Sequence, residues 1–312
     1  MLRPAARAWA SDAPLSIAPA GRFDPCYEPG VTFSIVAASP ETGDVGVAVQ
    51  SKFLACAALV SWARGGVGAV ATQSFAEVTF GPRGLDLLEE GLGPEEAIDR
   101  LLQGDDQRDQ RQVGIAAADG RTASFTGAEC FEHAASVVGR NHACQGNILV
   151  SDRVVPAMSE AFLGTDAPFP ERLVEALRAG QREGGDRRGQ EAAGLYVARP
   201  GGGYGGNHDR YIDVRVDHHA QPIEELARIL DLHRLYFERP RDEDLIEADA
   251  GLEREIAERL DRLGKRNEDR DPWDDLFDYM GWENLEERWA DKGRIDPRVL
   301  AYLRDHSEGR TS

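Results

Sequence analysis

Alternation of small apolar and polar residues begins abruptly at Thr32. TFSIVAAS (32–39) and DVGVAVQS (44–51) keep period two around the turn signal PETG, which predicts a β-hairpin. GVGAVATQS (66–74) predicts a third strand. The period then lengthens: Leu85, Leu88 and Leu92 mark one helix, and Ala97, Ile98, Leu101 and Leu102 a second that opens near Pro94. RQVGIAAAD and TASFTG read as strands turned at Asp119-Gly120, and QGNILV (145–150) as one more short strand. Helices follow over 154–163 and 170–180, the second burying Leu173, Ala176 and Leu177. EAAGLYVAR and YIDVRVDHH return to strand around the loop PGGGYGGNHDR. A helix over PIEELARILDLHRLYF, with Ile223, Leu226 and Leu230 in register, closes the domain near residue 237. Strands arriving in blocks, without βαβ alternation, predict an α+β fold of antiparallel sheets layered with helices.

The flanks read differently. Residues 1–31 have no clean period and no apolar stretch of the length a secretory signal requires, which predicts an irregular leader outside the fold. From Glu238 to Ser312 there are 23 acidic and 14 basic residues, nearly half of the net charge. Within this stretch, 238–270 reads as a charged helical linker. Residues 271–312 read as a small domain whose expected mini-core is Trp273, Trp282 and Trp289 with Leu276, Phe277, Leu285, Val299, Leu300 and Leu303. So short a core is marginal alone, so it is expected to dock on something else.

Composition narrows the function classes. The 312-residue chain is 41% hydrophobic with 33 glycines, and no apolar run approaches the roughly 18 residues of a membrane helix. A net charge of −19 argues against nucleic acid, whose phosphates need clustered Lys and Arg. Cys26, Cys56, Cys130 and Cys144 lack CxxC spacing and read as free buried thiols in a reducing cytoplasm.

No GxSxG, HExxH or Walker A motif is present. GVGAVA (66–71) fits GxGxxG/A formally but reads as a glycine-rich strand. Asp213, Asp217, His218 and His219 gather ligand types, yet adjacent strand histidines point to opposite faces and cannot easily share one ion. Neither metal nor cofactor is expected. GGDRRG (184–189) offers Asp186 flanked by Arg187 and Arg188, either as a clamp for a carboxylate or as a helix stop followed by a solvated ion pair. Cys130, near His133, reads by default as a packed cysteine. Thr32 has no neighbouring base and would be a poor nucleophile inside a chain. If it were the first residue, its own α-amino group, with a pKa of about 7.7–8.0, would accept the hydroxyl proton.

Taken together and in this order, TFSIVAASPETGDVGVAVQSKF, GVGAVATQS, FGPRGLDLL, RQVGI, FTGAEC, QGNIL, GGDRRG and GGYGGNHDRYIDVRVD resemble the bacterial family known as domain of unknown function 1028. The resemblance covers about residues 32–237. It implies an N-terminal nucleophile (Ntn) hydrolase-like fold, an αββα four-layer sandwich of two antiparallel sheets between helical layers, with Thr32 in the position of the nucleophile. The tail, with GWENLEERW and IDPRVLAYLR, is similar to a small module associated with peptidoglycan binding. Family members commonly begin with Met before the threonine block. Here Thr32 would become free by cleavage after Val31, or by translation starting at position 31.

These readings converge on an amidohydrolase acting on a small amide or peptide-like substrate through an acyl-enzyme at Thr32. Residue chemistry assigns Gln73, Asn147 and Gln145 to an oxyanion or substrate, and Arg111 with Arg187 or Arg188 to a substrate carboxylate, with Asp186 beside them in the substrate site. Each of the three amides also fits a turn-satisfying structural role. The alternative is a non-catalytic protein that recognises peptidoglycan fragments through its tail. Either protein would be cytoplasmic, would contact neither membrane nor nucleic acid, and could work as a homo-oligomer.

Overall fold

The computed structural model describes residues 32–310; the expected leader at 1–31 and the proposed cleavage after Val31 lie outside them. The chain opens on a hairpin, β1 (Thr32–Ser39) and β2 (Asp44–Ser51), whose turn places Gly43 at φ +76°, a conformation that favours glycine. A short stretch follows that the period had not revealed, α1 (Ala57–Val60) and β3 (Ser61–Arg64). Then come β4 (Gly68–Ser74), α2 (Phe80–Glu89), α3 (Pro94–Leu102), β5 (Arg111–Ala117) and β6 (Thr122–Thr126).

Next are β7 (Ala135–Gly139), also unforeseen, β8 (His142–Asn147), α4 (Val154–Gly164), α5 (Phe169–Arg182), β9 (Ala192–Ala198), β10 (Arg210–Val216) and α6 (Pro222–Phe237). The strand expected over 145–150 sits three residues earlier, because Ile148 takes φ +47° and ends the ladder.

Strands β1 to β10 form two antiparallel sheets, one of six in the order β10-β9-β2-β1-β8-β7 and one of four in the order β3-β4-β5-β6. Alternation along each strand assigns its two faces. Phe33 and Ile35 of β1 and Leu195 of β9 turn toward α4, α5 and α6, where Met158, Leu173, Leu177 and Leu226 meet them. Val36 of β1 and Val47 and Val49 of β2 turn the other way and meet Ala69, Ala71 and Ala116 of the smaller sheet. The far side of that sheet carries Val70, Val113 and Ile115 against Phe80, Leu85, Ile98 and Leu101 of α2 and α3. Valine and alanine dominate between the sheets, and those small side chains let the sheets approach closely. The fold is thus α+β with antiparallel sheets.

Past residue 237 the chain forms β11 (Ile246–Glu247), α7 (Ala250–Arg262), α8 (Pro272–Trp282), β12 (Arg294–Ile295) and α9 (Pro297–Ser307). Each of these helices starts on an aspartate whose carboxylate accepts backbone N–H groups: Asp249 from Gly251 and Leu252, Asp271 from Trp273, and Asp296 from Arg298. Within the stretch set apart as a charged linker, α7 turns Ile256 and Leu260 into one core with Trp273, Leu276, Tyr279 and Leu303.

Two residues of the expected mini-core lie outside it. Trp273, Leu276 and Met280 share one face of α8, whereas Phe277 and Trp282 fall off that phase and are exposed. The Trp282 ring instead receives the Lys265 ammonium at 4.2 Å. The module docks on the end of α6 through Leu235 and through Arg288. The buried Arg288 guanidinium donates to the carbonyls of Arg234 and Leu235 and pairs with Asp296.

Candidate functional site

The space between the two sheets is apolar at one end and polar at the other. Thr32 and Ser34 follow the same inward phase as Val36, so the first turn of the alternation in β1 delivers two hydroxyls to this space. Ser51 lies opposite Thr32 on β2 and Asn147 opposite it on β8. Gln73 of β4 and Gln112 of β5 face each other across the smaller sheet. With Gln145 of β8, all of these side chains are buried.

They form one hydrogen-bonded network. The Thr32 hydroxyl donates to Ser51 Oγ at 3.2 Å, and Ser34 Oγ donates to Gln73 Oε1 while accepting from Gln145 Nε2 at 2.6 Å. Gln73 Nε2 donates to the Thr32 carbonyl at 3.2 Å and to Gln112 Oε1 at 2.8 Å. Asn147 Nδ2 donates to the same Gln112 oxygen at 3.0 Å, and Gln112 Nε2 reaches Gly146 O at 2.9 Å and Thr126 Oγ1 at 3.0 Å. Two acceptors in this cluster, Gln145 Oε1 and Asn147 Oδ1, have no partner among the described residues. Leaving a buried acceptor unpaired costs about 1–3 kcal/mol.

The network therefore joins Thr32, Gln73, Gln145 and Asn147, four of the residues singled out from sequence, and adds three that were not: Ser34, Ser51 and Gln112. Their signal was present as a polar residue at the inward phase of an otherwise apolar strand. The amides do not fit the oxyanion-donor role expected of them equally. Gln73 donates to the Thr32 and Gln145 carbonyls as well as to Gln112, so no N–H remains on it, whereas Gln145 and Asn147 each keep one.

Asp186 sits on the neighbouring loop, which bridges Leu149 just past β8. It is 2% exposed, which corrects the solvated-ion-pair reading. Its carboxylate accepts the backbone N–H of Lys52 and of Arg188, both at 2.8 Å, and so ties the loop to the end of β2. Burial pushes the Asp186 carboxyl up from its usual range, against those two N–H groups and the Arg188 guanidinium.

Arg188 turns back onto Asp186 at 3.4 Å, and Arg187 points outward to Glu132 at 3.4 Å. Arg111 is a correction. It sits one residue before Gln112, so it points to the opposite face of β5, where its guanidinium lies over the Phe75 and Phe80 rings. There it donates to Asp105, Gln107 and the Phe75 carbonyl, leaving one N–H of five for any ligand.

The cysteines and histidines stand apart from this chemistry. Burial pushes the Cys56 thiol up to about 12 and raises Cys130 and Cys144 as well, which disfavours a thiolate nucleophile at all three. His218 bonds Glu191, while His219 Nδ1 accepts from Gln221 N at 3.1 Å. Among the described residues no group of three or more His, Cys, Asp and Glu is placed to hold a metal ion, and no helix is long and apolar enough to cross a membrane.

A family model described as a family of unknown function, DUF1028, matches residues 32–226. A second, described as "Putative peptidoglycan binding domain", matches residues 236–303. Among solved structures, the crystal structure of a DUF1028-model protein from Silicibacter pomeroyi is similar to this chain with a TM-score of 0.59 and 30% identity. The similarity covers 65% of this chain and 89% of that one. Curated proteins gave no match. The first model spans more than half of the chain, from the residue that opens β1 to the second turn of α6, and the chain belongs to the DUF1028 family.

Proposed function

We propose that the chain is an Ntn-type amide hydrolase with Thr32 as nucleophile, built on a four-layer αββα sandwich at 32–237 and followed by a distinct peptidoglycan-recognition unit. The observation that carries this reading is the position of Thr32: its side chain opens the first strand inside the gap between two sheets, within a buried polar network that leaves two acceptors unpaired.

With its α-amino group free, the Thr32 amine takes the hydroxyl proton as Oγ attacks the amide carbonyl. The C–N bond then breaks, the amine leaves with that proton, and water hydrolyses the acyl-enzyme. Asn147 Oδ1, from the residue paired with Thr32, is an acceptor for the α-ammonium, and the remaining N–H groups of Gln145 and Asn147 are donors for the oxyanion. Asp186 orders the loop beside the site, and a substrate carboxylate would draw Arg188 from Asp186 or Arg187 from Glu132 to be held there. The substrate is a small amide or a peptidoglycan-derived fragment, met in the cytoplasm as a precursor or recycled piece.

N-terminal sequencing and intact mass of protein from the native host test the reading. A chain that still carries residues before Thr32 in its working form overturns it.

A second reading, favoured by the match at 236–303, is a non-catalytic protein that recognises a peptidoglycan-related ligand. It predicts saturable binding of such fragments with no turnover, whatever the state of Thr32.

A further inference from the structure

An open cleft lies far from Thr32. Thr32 and Ser51 mark one end of the six-stranded sheet, at Ala192 of β9. The cleft, about 480 Å³, opens at the other end, where β9 finishes at Ala198 and β10 begins at Arg210. One wall is the glycine-rich loop PGGGYGGNHDR between those strands. The other is the end of α6 together with Arg239 and Glu287 from the segment matched by the peptidoglycan-binding model. The volume lies within the roughly 300–1,000 Å³ of small-molecule sites.

The lining selects a ligand chemistry. Tyr204 and Phe237 are 71% and 53% exposed and meet edge to face with centroids 6.4 Å apart, so aromatic surface is held open to solvent. The charges in the cleft are matched: Arg239 pairs with Glu287 at 3.0 Å and Arg210 with Asp213 at 3.2 Å. A matched lining in a chain of net charge −19 disfavours an anion and suits a neutral ligand rich in hydrogen-bonding groups.

His233, behind the rings, adds an acceptor. Its Nε2 bonds the Tyr211 carbonyl at 3.1 Å and so carries the proton, which leaves Nδ1 as a buried lone pair without a partner among the described residues. Burial lowers its pKa and keeps the ring neutral. A ring with an apolar C–H face, hydroxyls and an amide N–H answers all three features.

We infer that this cleft binds an N-acetylated amino-sugar unit of a glycan fragment, stacked on Tyr204 and Phe237 and flanked by the Arg239–Glu287 and Arg210–Asp213 pairs. The site would be shared by the two family-matched segments and separate from Thr32. The inference rests on the reading that the chain recognises a peptidoglycan-related ligand, and it assigns that recognition to the joint between the segments, not to the C-terminal segment alone.

Calorimetric titration of the full chain with three probes tests it: an N-acetylglucosamine trimer, a disaccharide-tetrapeptide, and the tetrapeptide alone. The expected result is saturable binding of both sugar-bearing probes, weakened at least tenfold by Tyr204→Ala or Phe237→Ala in proteins whose melting is unchanged. Tyr204→Phe, which keeps the ring, and Trp282→Ala, which removes an exposed aromatic elsewhere, should bind like the wild type. Binding that survives Tyr204→Ala and Phe237→Ala but fails in Trp282→Ala would overturn the cleft and leave peptidoglycan recognition standing. Equal binding of the bare tetrapeptide would overturn the sugar assignment. No binding of any probe would overturn both the inference and the reading beneath it.

Discussion

Thr32 and Ser51 face each other across the first hairpin, and the threonine hydroxyl donates to the serine oxygen over 3.2 Å. That bond orients the Thr32 side chain inside the intersheet space. For a chain that begins at Thr32, Thr32→Ala is expected to lose all turnover of an amide library and Thr32→Ser to retain part of it, both with unchanged far-UV circular dichroism. Ser51→Ala should lower kcat more than it changes KM, because it frees the hydroxyl without removing it. Equal turnover by wild type and Thr32→Ala would exclude Thr32 as the nucleophile.

Gln112 joins four strands. Its oxygen receives Gln73 and Asn147, and its amide nitrogen reaches Thr126 of β6, Gly146 of β8 and the Ala135 carbonyl of β7. Gln112→Leu keeps the volume and strands those partners in a dry space. The expected loss is about 3 kcal/mol in urea unfolding, from buried groups that cost about 1–3 kcal/mol each when unpaired. A loss below about 0.5 kcal/mol would mean that water replaces the glutamine, so that the site is wetter than its burial suggests.

Arg288 and Asp296 are 5% and 3% exposed and pair at the joint between α6 and the C-terminal module. Removing one partner of such a pair costs about 3–5 kcal/mol, because the other charge stays buried. Arg288→Met should lower the melting temperature of the module and separate its unfolding from that of residues 32–237 in calorimetry. The double variant Arg288→Met, Asp296→Asn should recover part of the loss.

Glu255 is held at about 2 by Arg304 first and Arg259 second, well below the ordinary glutamate value of about 4.3. A carboxyl with a depressed folded pKa stabilises fully above its unfolded pKa, and that contribution disappears as pH falls through the folded value. Stability of the module should therefore drop between about pH 4.3 and about pH 2. Glu255→Gln should lower stability at pH 7 and flatten this dependence, as followed by tryptophan fluorescence of Trp273. A slope unchanged in the variant would assign the acid sensitivity to other carboxylates.

Asp186 moves the opposite way. Burial raises its pKa, so the folded state binds the proton more tightly than the unfolded chain, and its ionisation opposes folding. This contribution is favourable below the ordinary aspartate value and is lost as pH rises through the raised one. Asp186→Asn should remove that pH dependence while weakening the tie between Lys52 and the 186–188 loop, visible as faster amide exchange at Lys52 and Arg188.

Much of the fold was legible in local pattern. Period two in TFSIVAAS and DVGVAVQS specifies strands, and PETG and Asp119-Gly120 place turns where a positive φ is tolerated. The stripe Leu173, Ala176, Leu177 specifies a buried helix face. These features depend on neighbours a few residues away, and such patterning survives any tertiary arrangement. Strands β3 and β7 are not legible in the pattern because they are short and half-exposed and carry little hydrophobic alternation. Nor is the phase of Trp282, since hydrophobicity alone does not say which aromatic a short helix turns outward.

The sequence by itself determined that Thr32 opens a strand and that polar residues recur at strand positions otherwise apolar. Only the tertiary structure decided that Thr32, Gln73, Gln145 and Asn147 meet in one space, that Gln112 connects them, and that Arg111 turns away. The physical reason is that alternation assigns a side chain to a face but not to a partner. Which faces oppose one another is settled by sheet pairing over separations such as the 41 residues between Thr32 and Gln73.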